Sequence, residues 1–421
     1  MRRIATNMPN DDVQYYLRRQ EEGLSAMQSK IAGQRRIREL RDDPLAASHA
    51  VRYESYLARL ERFEKNTLYA RDHYNEVDAY LRQANDVLQR VREISVLGAN
   101  GTYAKEDMKY MALEVNELLK ELVSLANAAG SDGKRLFAGD RAFTEPFRVV
   151  EAGVAEGGEA MVVRVEYRGA GSARKAEITD QTYAHLDIGG GEAFWAEKMQ
   201  IYSTVDASQY RAETAGVIYV DGEAITVSPG DTLYSIAAKI NESAAPVKAS
   251  VDPETRGLAL EGTNAHLIRL EDGAATAERP ASRVLQDLGM ISANTDPAAP
   301  NWSGAARVSG GSVFDMAIRL RDALLRGDGD FIGGQGIGGI DLALTNIQSR
   351  LAANGSRQER AEASWQRLNQ EIPNVAAALS RESALDYASA ATDLKMLDFA
   401  HKATLQTAAK ILPPSLLDFL R

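Results

Sequence analysis

Apolar residues recur at helical spacing near both ends of the chain and at a spacing of two through its middle. Val13, Leu17, Gln20, Leu24, Met27 and Ile31 alternate steps of four and three, with Arg18, Arg19, Glu21 and Glu22 on the other face. That is a heptad stripe, and it predicts a helix that buries one side against another helix. The stripe runs to about Leu40. Arg41-Asp42-Asp43-Pro44 then reads as a stop and restart, in which Asp42 belongs to the turn, Asp43 is the N-cap and Pro44 the first helical residue. A very long helix follows, clearest in Ala70, Tyr74, Val77, Leu81, Ala84, Leu88 and Val91, and Gly98-Ala99-Asn100-Gly101 ends it. A third carries Met108, Met111, Val115, Leu118, Leu122 and Leu125.

At the other end the pattern predicts a helix over Val313 to Leu325, another from Ile340 to Ile372 and a last one from Val375 to Ile411. Pro373 marks the junction of the last two, and Pro413-Pro414 stops the second. The final stripe includes Tyr387, Ala390, Leu394, Leu397, Thr404, Ala408 and Ile411, with Leu405 beside it, and the tail holds Leu416, Leu417, Phe419 and Leu420. Helices of this kind need partners to bury their stripes. The two terminal helices are therefore the candidate assembly surface: Val13, Leu17, Leu24, Met27 and Ile31 on the first, and Leu394, Leu397, Leu405, Ile411, Leu416, Leu417, Phe419 and Leu420 on the last. An apolar tail left uncovered would self-associate.

Between the helices Phe147-Arg148-Val149-Val150, Met161 to Tyr167 and Gly216 to Gly222 alternate as strands do, and Ala237-Ala238-Lys239-Ile240 sits on a short helix inside the block. Asn294 to Gly311 reads as a link back to helix, and Gly333 to Gly339 as a flexible linker. The fold class expected is α+β: long terminal helices forming an antiparallel bundle or coiled-coil rod, with a β-rich domain inserted. Residues 1–44 with 375–421 would form the terminal coiled coil, 45–140 with 313–374 a helical rod, and 141–312 the β-rich middle.

Composition narrows the function. The 421 residues, 44% hydrophobic and 26% charged, match an ordinary folded protein of more than one structural unit. A formal charge of −10 argues against nucleic acid as a partner. The chain has no cysteine, which removes thiolate chemistry. No apolar run approaches the length of a membrane span, and Met1-Arg2-Arg3 leads into Pro9-Asn10-Asp11-Asp12, not into a signal-peptide core. The expectation is a cytoplasmic protein, or one exported without a cleaved signal.

Catalytic chemistry is not legible. His49, His73, His185, His266 and His401 are scattered without metal-ligand spacing. No GxSxG elbow occurs, and the glycine run lacks the Lys-Ser/Thr of a phosphate loop. Asp328-Gly329-Asp330 opens like a calcium loop, but the later ligands are missing. Gln34-Arg35-Arg36-Ile37-Arg38 reads as a solvated basic face beside Glu39, Asp42 and Asp43. Val227 to Ala237 resembles the first half of a peptidoglycan-binding LysM module without its second half. No enzyme, cofactor or metal is expected.

Several segments, in order, resemble the flagellin-like family, and within it the hook–filament junction branch. Arg3-Ile4-Ala5-Thr6-Asn7-Met8 is similar to the family's start, Arg41 to Ala47 to its Asp-Asp-Pro signature with Arg in place of a common Ser, and Leu60 to Ala70 to the helix that follows. Ala403 to Ile411 and Leu416 to Leu420 resemble its last helix and tail. Leu136-Phe137-Ala138-Gly139 and Thr144-Glu145-Pro146-Phe147 resemble the junction branch more than filament flagellin. Val220-Asp221-Gly222, Gly230-Asp231-Thr232-Leu233 and Ile240-Asn241, within about 216–290, resemble the flagellin hook IN motif. The resemblance implies a structural flagellar subunit exported through the flagellar type III apparatus. It would be extracellular, or periplasmic if the source is a spirochaete, to which the N-terminal half is similar. The implied partners are hook-associated protein 1, flagellin, an export chaperone covering the C-terminal helix, and further copies in a ring. The alternatives are a filament flagellin, hook-associated protein 1 itself, or a LysM-like wall-binding protein.

Overall fold

A computed structural model describes residues 8–37, 39, 41–153, 160–170, 174–275, 281–292 and 301–411. It begins with three helices, α1 (Met8–Gly33), α2 (Pro44–Ala99) and α3 (Lys105–Ala126). Then come the hairpins β1 (Phe147–Gly153) with β2 (Ala160–Tyr167) and β3 (Lys175–Thr179) with β4 (Thr182–His185), followed by a single turn, α4 (Gly190–Ala193). A mixed region follows: β5 (Gln200–Ser203), β6 (Gly216–Val220), β7 (Glu223–Val227), α5 (Leu233–Glu242), β8 (Val247–Val251), β9 (Leu258–Gly262), β10 (Leu270–Asp272), α6 (Val284–Asp287) and β11 (Ala306–Ser309). Helices α7 (Val313–Arg326), α8 (Gly329–Phe331), α9 (Ile337–Ser383) and α10 (Tyr387–Ile411) complete the chain. This is α+β, with long helices at both ends and small antiparallel sheets between them.

By contacts the chain divides into two units, 1–65 with 365–421 and 66–364. The second holds the larger core. Leu81, Leu88 and Ile94 from α2, Leu119 and Leu122 from α3, Leu320 and Leu324 from α7, and Ile340 and Ile347 from α9 are all buried together. Burying a Leu or Ile side chain stabilises by roughly 1.5–3 kcal/mol, so these stripes account for the helices. Phe147, Phe194 and Phe314 meet with ring centroids 5.0–5.7 Å apart within this core. Asn127, just past α3, locks β1 to it: its Nδ2 donates to the Phe147 carbonyl and its Oδ1 accepts the Phe147 N–H, both at 2.8 Å. Gly190 is a necessity here, since a Cβ would lie 2.7 Å from the Tyr167 ring and 2.8 Å from the Phe147 ring.

A smaller core in the same unit lies among the sheet β10-β6-β7, the sheet β11-β5-β9-β8 and α5. Helix α5 buries Leu233, Ile236, Ala237 and Ile240, the i, i+3, i+4, i+7 face of an amphipathic helix. Thr232 caps it, its hydroxyl oxygen accepting the Ser235 N–H at 3.3 Å.

Three expectations change. The glycine run is helical: a π-type turn over Ile332–Gly336 leads directly into α9. The glycines admit close packing on α7, since a Cβ on Gly339 would meet the Met316 sulfur at 2.6 Å and one on Gly336 the Leu320 Cδ1 at 3.2 Å. Helix α9 also continues through Pro373. The break comes later, at Ala384–Asp386, where the Asp386 carboxylate accepts the N–H groups of Ala388 and Ser389 at 2.9 and 3.2 Å and starts α10. Finally, part of the link from Asn294 to Gly311 is strand: β11 adds to the edge of β5, with Ala306 opposite Ser203 and Ser309 opposite Gln200.

Candidate assembly surface

The first unit is built from two antiparallel helix pairs. In one, α1 packs on α10: the Tyr387 hydroxyl lies 3.5 Å from the Ile31 carbonyl, and the Gln20 amide donates to the Thr404 hydroxyl at 3.0 Å. In the other, the beginning of α2 meets the end of α9. Leu60 and Phe63 bury against Leu368, with Tyr56, Ile372 and Val375 around them, and Tyr56 donates a hydrogen bond to Glu371.

The breaks between the pairs are tied together. The Arg36 N–H donates to the Ser383 carbonyl at 2.9 Å, its guanidinium reaches the Glu382 carbonyl at 3.0 Å, and Arg35 forms a bridge with Ala384. Asp43 caps α2, its Oδ1 accepting the Ala46 N–H at 3.1 Å while Oδ2 meets Arg36 at 3.2 Å. The Ala46 N–H, then Arg36, hold the Asp43 carboxyl below the usual carboxylate range. Asp42 accepts the Glu39 N–H at 3.4 Å and faces Lys30 at 3.8 Å, and Pro44 opens the helix.

Leu17, Leu24, Met27 and Ile31 on α1 and Leu394 and Leu397 on α10 are each half-buried. Leu405 stays 45% exposed. Val13 and Ile411 lie on α1 and α10 with side chains outside the described residues, and Leu416, Leu417, Phe419 and Leu420 are outside them altogether.

The pair also presents apolar groups that the heptad pattern assigns to the solvated side. Tyr15 and Tyr16 on α1 are 58% and 57% exposed, their rings edge to face at 5.7 Å. Met396 and Phe399 on α10 are 66% and 76% exposed. The only signal for them in the sequence is an aromatic or Met within an otherwise charged face. Both α1 and α10 thus carry two apolar sides, one half-buried in the pair and one facing outward. Exposed apolar groups of this kind make the pair a candidate interaction surface.

Residues 4–142 match the family model for the bacterial flagellin N-terminal helical region, and residues 219–264 match that for the flagellin hook IN motif. Over these two stretches the chain is similar to flagellins. It is 28% identical to flagellin from Listeria monocytogenes over 134 residues, which is 32% of the chain and 47% of that protein. It is 28% identical to flagellar hook-associated protein 3 from Escherichia coli over 125 residues, 30% of the chain and 39% of that protein. Flagellin A from Vibrio cholerae aligns over 431 positions at 23% identity, covering 99% of both chains. The chain spans about half, or less, of the length of the first curated flagellins it matches. A crystal structure of hook-associated protein 3 from Legionella pneumophila has a TM-score of 0.46 at 18% identity, covering 78% of this chain and 97% of that one. The IN match falls on β6, β7, α5, β8 and β9. The LysM-like segment therefore lies inside an IN motif, with Thr232 as a helix cap.

Proposed function

We propose that this flagellin-like chain is a structural subunit of the bacterial flagellum, a hook-associated protein 3 that joins the hook, through hook-associated protein 1, to the flagellin filament. The observation that carries the reading is the α1–α10 pair, with stripes half-buried in the pair and Tyr15, Tyr16, Met396 and Phe399 facing outward. A two-helix pair cannot bury both sides of its helices, and copies stacked by heterologous contacts can. Leu17, Leu24, Met27 and Ile31 with Leu394 and Leu397 would form the seam of each copy, and Leu405 with the outward groups would meet its neighbours. Val13, Ile411 and the tail Leu416, Leu417, Phe419 and Leu420 would extend that surface or bind an export chaperone beforehand. The chain would have no enzymatic role and would reach the flagellum through the type III export route. Residues 1–44 with 375–421 would act as the assembly segment, 45–140 with 313–374 as the helical support, and 141–312 as the β-rich middle.

The test is electron microscopy of a strain lacking the gene, complemented with the full chain or with a version lacking residues 384–421. Hooks without filaments in the deletion strain, rescued by the full chain and not by the truncated one, are the expected result. Normal filaments on the truncated protein would overturn the proposal. The full-length alignment with Vibrio flagellin favours a second reading, a filament flagellin. Long filaments formed by the purified chain alone would select it.

A further inference from the structure

We propose that a cavity lined by two tryptophans in the unit of residues 66–364 binds one neutral pyranose sugar, independently of any role in flagellar assembly. The cavity has a volume of about 250 Å³, equivalent to about eight waters at ~30 Å³ each, which suits a single small ring and not an extended ligand. Two of the chain's three tryptophans line it. Trp195 packs on the larger core and Trp302 on the smaller, so each indole is held by a different body of side chains.

The polar lining is paired. Arg164 meets Glu166 at 2.6 Å and Arg269 meets Glu271 at 3.4 Å, all four beside the cavity. The charge of Asp315, which also lines it, is engaged by the Ser312 N–H and hydroxyl at 2.8 and 2.7 Å. Balanced pairs give little pull on an ion, but they offer fixed donors and acceptors for hydroxyl groups. Indole surfaces suit the apolar C–H side of a pyranose, and such pockets combine apolar walls with a few placed polar groups. The Trp195 Nε1–H is buried without an acceptor among the described residues. A ligand oxygen that reached this N–H would therefore displace no existing hydrogen bond. An aromatic side chain from another protein would fit the volume but would cover both ion pairs without replacing their water, which is unfavourable.

The test uses the full chain carrying Trp365→Phe, so that all indole fluorescence comes from the cavity. Glucose, galactose and N-acetylglucosamine are titrated at millimolar concentration, with sorbitol as the open-chain control. The expected result is a saturable change with at least one pyranose and none with sorbitol. It should be lost in Trp302→Ala and weakened about tenfold in Glu166→Gln, the size expected for one hydrogen bond to a charged group. Glu166→Gln keeps the test meaningful if Trp302→Ala changes the far-ultraviolet circular dichroism. No saturable response to any pyranose, or one undiminished in both variants, overturns the proposal. A response to indole with none to the sugars also overturns it and marks the cavity as a seat for an aromatic side chain.

Discussion

His266 is buried in the second unit with an acceptor on each ring nitrogen: the Asp221 carboxylate 3.0 Å from Nε2 and the Asn264 carbonyl 3.0 Å from Nδ1. Burial disfavours the charged ring, but the hydrogen bond and charge of Asp221 and the Asn264 carbonyl outweigh it and raise the pKa above the ordinary value. The folded state therefore holds the proton more tightly than the unfolded chain. This stabilisation is complete below the unfolded value of ~6.5 and is lost as pH rises through the raised folded value. Urea midpoints measured across that interval should fall with pH in the wild type and flatten in His266→Gln; an equal slope in both would remove His266 as the cause. Packing gives a second prediction at this scale. Gly190→Ala drives a methyl into the Tyr167 and Phe147 rings, and overpacking of this kind typically costs about 1–3 kcal/mol. Thermal unfolding at matched protein concentration will read it, and an unchanged midpoint would mean that the rings yield freely.

Helices α3 and α7 were legible from their apolar period. Of the α3 stripe, Met108, Val115 and Leu122 are buried while Met111, Leu118 and Leu125 are half-buried, and Leu119, outside the stripe, is buried; Ser312 and Gly327 bracket α7 as cap and left-handed stop. The stretch after α7 was not, because glycine signals a turn wherever side-chain packing is unknown. Only the approach of Met316 and Leu320 shows why a helix needs glycine there. Pro373 misled in the opposite way. A proline inside a helix removes one hydrogen bond and crowds the preceding turn, at a cost of roughly 3 kcal/mol, yet packing of Leu368, Ile372 and Val375 holds α9 together around it. Pro373 is exposed, so Pro373→Ala should raise the stability of this unit, by up to ~3 kcal/mol in chemical denaturation. A loss of stability would instead show that the core around Phe63 depends on the proline's distortion of the helix. The break at Ala384–Asp386 had no glycine or proline to announce it, only the capping aspartate. The outward residues Tyr15, Tyr16, Met396 and Phe399 were hidden because a heptad pattern counts one face per helix.

The two units differ in how much they bury. The unit of residues 66–364 contains both large cores, whereas among the described residues of the other the large buried side chains are few, chiefly Leu60, Phe63 and Leu368. Calorimetry of the isolated chain should show two transitions, with α1 and α10 exchanging their amide hydrogens first. A single transition with uniform protection would mean that the units unfold as one. The unit of residues 1–65 and 365–421 also draws its halves from distant parts of the chain: the hydrogen bond from Gln20 to Thr404 closes a separation of 384 positions. Non-local contacts form late, because the chain between them must be ordered or looped first. Whenever the polypeptide is laid down from its N-terminus, the middle can fold while α1 still waits for its mate. The surface proposed for assembly is thereby placed last in time: it acquires its shape only once the remainder of the molecule has arrived.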